Sequence, residues 1–210
     1  MVKKIKNKNE ILKVFVDLIS WKTIKEVSKE IGLSYQPTYV YLAELKGEGF
    51  LNHKIEGGVH FYSLNLKNNR LVREVENIEF ERAQIIIEGF DKKVRVAFDE
   101  LFEYLYRDLS VKTVLLFGST ARKTRIKKSD IDVLIVALGD GNEIKRICNT
   151  INIKYNIRIS PVVVSLKEFR KMMIERNDFT KNLIKDKVVL RGFEFYFYEL
   201  IKSMEQLKWI

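Results

Sequence analysis

The chain has 210 residues, with 46% apolar and 11% aromatic residues, enough to bury a core in one large or two small domains. Only 2 Pro and 10 Gly exclude a collagenous or linker-rich protein, and 38 Lys and Arg against 28 Asp and Glu, a formal charge of +10, point to a polyanionic partner. The single Cys148 excludes an intrachain disulfide, and with only His53 and His60 there is no ligand cluster for zinc. A reducing cytoplasm is the expected location. Lys13 and Asp17 interrupt what would be a signal-peptide core, and no apolar run approaches the roughly 20 residues of a membrane helix, so no membrane partner is expected.

The charge is unevenly spread. Residues 1–70 carry 12 basic and 7 acidic side chains, residues 71–110 carry 6 and 10, and residues 111–210 carry 20 and 11. Two basic blocks therefore flank an acidic one. The acidic block has apolar residues at Val72, Val75, Ile78, Ile85, Phe90, Val94, Phe98, Leu101 and Leu105, mostly three to five apart, which predicts helices broken near Gly89. The expected division is a domain over 1–68, connecting helices over 69–109 and a second domain over 110–210. No internal repeat is present.

In the first block, Ile11, Leu12, Phe15, Val16 and Ile19 predict a helix over 9–19. Thr23 and Glu26 have capping-box spacing, and Ile24, Val27 and Ile31 line a short helix stopped by Gly32. Ser34 is the expected cap of a third helix, with Pro37 tolerated in its first turn and Thr38, Leu42 and Leu45 facing inward. After Gly47 and Gly49 the apolar period falls from 3.6 to 2, and residues 51–55 and 59–64 around Glu56-Gly57-Gly58 read as a hairpin.

Residues 23–50 and this hairpin resemble the winged helix-turn-helix domains of prokaryotic transcription regulators. The resemblance implies a recognition helix over 34–46 in the major groove of double-stranded DNA, with Ser34, Tyr35, Gln36, Tyr39 and Lys46 toward the duplex, Lys54 in the wing near phosphate, and a homodimer on paired half-sites. The competing reading is a winged helix used for dimerisation or protein contacts. His53 and His60 fall on the two hairpin arms, where packing or solvent exposure is expected rather than metal binding.

In the second block, residues 111–117 and 131–138 are short apolar strands. Gly118-Ser119 after the first strand would leave backbone amides and a hydroxyl directed at one spot, which suits a phosphate, and five of the eight residues 121–128 are basic. Asp130 and Asp132 are two apart on a strand, hence on one face with Cα atoms roughly 6.5 to 7 Å apart, a separation at which two carboxylates can share a divalent cation. Two solvated aspartates at a strand start are the bland alternative, made less attractive by the Gly-Ser turn ten residues earlier.

Residues 117–122 (Phe-Gly-Ser-Thr-Ala-Arg) followed by Ser129-Asp130-Ile131-Asp132-Val133-Leu134-Ile135 resemble the Gly-Ser and Asp-x-Asp motif of the DNA polymerase β nucleotidyltransferase superfamily, most closely its minimal members. The resemblance implies an α+β fold, a small mixed sheet flanked by helices behind the N-terminal winged helix. It implies that Gly118, Ser119, Arg122, Lys123 and Lys128 hold a nucleoside triphosphate, expected to be ATP. Asp130 and Asp132 would ligate Mg²⁺ as the catalytic pair. Family members often carry Gly where Lys123 stands. Active members also need a carboxylate on a neighbouring strand, and here that position falls at Ser160; the next acid, Glu168, is expected in the following helix.

The functional expectation is a DNA-binding regulator whose nucleotidyltransferase-like domain binds nucleotide and Mg²⁺ but is catalytically impaired. The alternative is an active enzyme transferring NMP to a protein or small-molecule acceptor, and a third reading is an interaction module. Near the C-terminus, residues 188–190 read as a short strand. Phe195, Tyr196, Tyr198, Leu200, Ile201 and Met204 form an aromatic stripe expected in a core or dimer surface, and Cys148 reads as a small buried apolar residue.

Overall fold

The computed structural model describes residues 8–126 and 129–207. The chain divides into two compact units, the first ending at Ile78 and the second beginning at Glu79, a division that falls inside one long helix, α4 (Asn69–Glu88).

The first unit starts with a shorter helix than its apolar spacing predicts. α1 (Asn9–Leu12) passes into a single 3₁₀ turn (Lys13–Phe15), and Leu18 takes a left-handed φ of 68°. The cause is Asp17, whose carboxylate accepts from the amides of Ile19 and Ser20 at 3.3 and 3.2 Å and from the Ser20 hydroxyl at 2.9 Å, offering the backbone a turn in place of further helix. Ile11, Leu12 and Phe15 are buried nonetheless.

α2 (Ile24–Ile31) begins with the expected capping box, the Glu26 amide donating to the Thr23 hydroxyl while Glu26 accepts from the Thr23 amide at 2.7 Å, and it ends on left-handed Gly32. The Thr23 amide, and its hydroxyl donating at 2.8 Å, hold the Glu26 carboxyl below its usual range. α3 (Tyr35–Gly47) buries Thr38, Leu42 and Leu45 completely. Ser34 stands at its N-cap without a side-chain capping bond, and its carbonyl instead accepts from the Thr38 hydroxyl at 2.8 Å.

The hairpin pairs β2 (Leu51–Glu56) with β3 (Val59–Leu64), turning on Gly57 and Gly58 at φ of 56° and 76°, the positive pair that a two-residue turn needs. A short strand not anticipated from sequence, β1 (Lys22–Thr23), completes an antiparallel sheet of order β1-β3-β2. The histidines pack as expected. His53 Nε2 lies 3.0 Å from His60 Nδ1 and its ring 4.8 Å from that of Tyr62, and burial lowers its pKa.

The second unit is built on a four-stranded sheet of order β6-β5-β4-β7. β4 (Val111–Leu116) pairs antiparallel with β5 (Ile131–Ala137) and β7 (Val188–Arg191), while β5 and β6 (Ile159–Ser165) are parallel and joined by α7 (Gly141–Tyr155). Strand alternation sorts β5 onto two faces. Ile131, Val133, Ile135 and Ala137 pack against α5 (Lys92–Arg107), α7 and the end of α4, a core that includes Phe98, Leu101 and Cys148. Burial raises the Cys148 thiol to about 11, in keeping with an inert core residue. Leu134 and Val136 are buried on the other face, which α8 (Leu166–Glu175) and α10 (Phe193–Gln206) cover. The aromatic stripe is core at Tyr196, Leu200 and Met204, while Tyr198 is exposed.

Two buried acids have no apolar-pattern signature. Glu79 accepts from the Val189 amide at 3.1 Å and from Arg82 at 2.6 Å, with the fully buried Lys187 ammonium at 3.7 Å. Glu199 takes a bidentate pair of bonds from Arg170 at 2.8 and 2.7 Å. Unpaired, either charge would be costly inside the unit.

Candidate functional site

β4 runs out at Leu116, and Gly118 opens a four-residue helix, α6 (Gly118–Ala121). Gly118 is required twice over. Its φ is +68°, and a Cβ there would collide with Oδ2 of Asp132. The loop then folds on itself, the amides of Arg122, Lys123 and Thr124 donating to the carbonyls of Gly118, Thr120 and Ser119 at 3.2, 3.1 and 2.9 Å. The amides of the first helical turn are left without helical acceptors by geometry.

Asp132 lies opposite Phe117, whose amide donates to its carbonyl at 3.1 Å, and its side chain shares the face of Leu134 and Val136. Partial burial raises the Asp132 pKa, Asp130 adds to the rise, and Arg122 opposes it. Gly118, Asp130, Asp132 and Arg122 thus converge. Asp130 is half exposed, and the Arg158 guanidinium approaches it at 3.8 Å. Arg122 donates to Asp186 at 3.0 Å, at the end of α9 (Asp178–Asp186). Neither Arg158 nor Asp186 carries a sequence signal, because each reaches the site from a distant element.

Ser160 stands in register with Asp132 across the parallel β5–β6 pair, so the strand neighbour of the aspartate pair is a hydroxyl. Glu168 does not replace the missing acid. It closes a capping box with Ser165, accepting from the Ser165 amide and hydroxyl at 2.7 Å each, and Ser165 is in register with Ala137, about 16 Å of strand from Ser160. Among the described residues no group of three or more His, Cys, Asp or Glu is arranged to hold a metal. Asp130 and Asp132 fit a Mg²⁺, which binds through one or two carboxylates with phosphate and water as its other ligands.

Lys123 occupies left-handed backbone at φ 58°, the conformation that favours glycine, and lines a cleft with Thr120 and Arg125. Lys128 lies outside the described residues. On the first unit, Ser34, Tyr35, Gln36, Tyr39 and Lys46 are all exposed on or beside α3. Lys54 is 2.8 Å from Glu56 of its own strand and 4.6 Å from the ring centroid of Trp21, which precedes β1. No described helix is long and apolar enough to cross a membrane.

A strand ending in a glycine pressed against an aspartate of the next strand, in a four-stranded mixed sheet with helices on both faces, defines a nucleotidyltransferase fold. The nucleotidyltransferase domain family model matches residues 92–202, and the chain belongs to that family. The "Putative protein adenylyltransferase MJ0604" of Methanocaldococcus jannaschii is 34% identical over 80 residues, which are 38% of this chain and 78% of that protein. Among solved structures, a toxin-antitoxin complex with AMP-PNP matches at 16% identity and a TM-score of 0.37, over 52% of this chain and 86% of its own. A tri-AMPylated Shewanella oneidensis HEPN toxin in complex with MNT antitoxin matches at 14% and 0.36, over 54% and 86%.

Proposed function

We propose that the second unit is an active nucleotidyltransferase that moves AMP from ATP to a hydroxyl of a protein acceptor. The observation that carries this reading is the packing of the Gly118 backbone against the Asp132 carboxylate, with Asp130 beside it. The relative named as a protein adenylyltransferase supports the acceptor class and favours an enzyme over a regulator that only senses nucleotide.

In this reading the loop amides and the Ser119 hydroxyl hold the triphosphate, and Arg122 turns from Asp186 toward it. Asp130 and Asp132 would hold one Mg²⁺, whose charge would offset that of the phosphates. The acceptor oxygen bonds to the α-phosphorus, the bond from that phosphorus to pyrophosphate breaks, and the acceptor's proton passes to solvent. Ser160 is too weak a base to take it, so transfer is slow rather than absent. Labelled AMP appearing on a protein acceptor, and falling at least about a thousandfold in Asp130→Ala/Asp132→Ala, is the expected result. Equal labelling by the variant would overturn the reading.

A second reading concerns the first unit. The exposed row Tyr35, Gln36 and Tyr39 on α3, with Lys46 at its end and a hairpin after it, supports a winged helix that docks on double-stranded DNA as a dimer. A gel shift on the DNA upstream of the chain's own coding region should weaken steeply with salt. A salt-insensitive shift, or none, rejects it.

A further inference from the structure

The loop that carries Gly118 has a second side. Ile131 and Val133, which flank Asp132 in β5, point away from its carboxylate and pack in one cluster with Ile86, Phe90 and Ala121. On that side a cleft of about 270 Å³ opens between the α4–α5 elbow and the loop. Ile85, Ile86 and Phe90 form its apolar wall, Lys123 and Arg125 bring two cations to it, and Thr120 lies within it. Thr120 is 3% exposed, and its hydroxyl has no hydrogen-bond partner among the described residues. A buried hydroxyl without a partner is costly, and a ligand edge would relieve that cost. Arg125 is held in place, its Nε donating to the Ser129 carbonyl at 3.2 Å and its guanidinium lying 5.8 Å from the Phe90 ring centroid.

We propose that this cleft is a mononucleotide site distinct from the aspartate pair. A flat base rests on Ile85, the exposed part of the apolar wall, the Thr120 hydroxyl bonds the base edge, and Lys123 and Arg125 take the phosphate. The cleft's volume is near the lower end for small-ligand pockets and too small for a run of peptide. It uses neither Asp130 nor Asp132, so it stands whether or not transfer occurs. Because both sites share residues 118–125, occupancy of one changes affinity at the other, and the coupling is reciprocal.

The test is calorimetric titration of the full chain with AMP in the absence of Mg²⁺. One equivalent is expected to bind the natural chain, and to bind Asp130→Ala/Asp132→Ala within about a factor of two of it. Thr120→Val and Lys123→Gln should each weaken binding about tenfold or more while unfolding within about 3 °C of the natural chain. No AMP binding would overturn the proposal, as would binding that both cleft substitutions leave unchanged. Loss of binding in the double aspartate variant would also overturn it, making the cleft the base end of a single nucleotide site.

Discussion

The two basic blocks of this chain spend their charge differently. In the first unit Lys54 pairs with Glu56 in the hairpin and Lys22 with Glu30 across one short helix, while Lys8 reaches Glu48 from forty residues away, all of these being exposed or half-exposed pairs. Around the aspartate pair the partners are far apart in sequence, Arg122 with Asp186 and Arg158 with Asp130, and the buried Glu79 meets Lys187 across more than a hundred residues. Exposed local pairs contribute about 0 to 1 kcal/mol each. At the site itself the long-range ion pairs are still partly exposed, and the close approach of Gly118 to Asp132 and the buried Glu79–Lys187 pair are what set the second unit apart.

Glu79→Ala should strike hardest. It removes the acid that faces the buried Lys187 ammonium and the acceptor of the Val189 amide, and urea unfolding should show a loss of about 3 to 5 kcal/mol. A loss below about 1 kcal/mol would break the contrast between buried and local pairs. Gly118→Ala comes next, since a Cβ in left-handed backbone costs about 1 to 2 kcal/mol before it meets Asp132. The rise in melting temperature on adding Mg²⁺ and ATP should vanish in that variant.

Ser160→Asp should act in the opposite direction. It places a carboxylate in register with Asp132, and AMP transfer should rise about 10- to 100-fold. An unchanged rate would mean that the proton leaves by another route.

Thr23→Ala tests a local contact and should cost about 1 kcal/mol at neutral pH. Glu26 has a folded-state pKa below its unfolded one, so its stabilising share is present above the unfolded value and is lost as pH falls through the folded value. The Thr23→Ala deficit should therefore shrink in acid. Smallest of all, Lys54→Ala should change DNA affinity by no more than about twofold, because its ammonium is already paired with Glu56. A larger drop would mark Lys54 as a phosphate contact that gives up Glu56 on binding.

The parts of the molecule readable from sequence are those with short-range causes. The capping box at Thr23, the left-handed stop at Gly32 and the Gly57-Gly58 turn are each set within a few residues. The buried stripe Thr38, Leu42 and Leu45 follows from helical period alone. The predicted helix over 9–19 failed for a cause that is also local but quieter: one aspartate bonding to its own downstream amides. The two-residue β1 has too little pattern to be seen without its partner, Phe61-Tyr62.

At the candidate site, the chain's own pattern carried the family motif, the shared face of Asp130 and Asp132 and the lack of an acid around Ser160. Alternation in a strand is a property of the chain, and parallel register carries it to the neighbour. Tertiary structure alone decided that Glu168 is a helix cap rather than a ligand and that Asp186 and Arg158 attend the loop. It also placed Lys123 in a cleft on the loop's other side. Those outcomes depend on which distant elements meet, and neither side-chain period nor local hydrogen bonding encodes that.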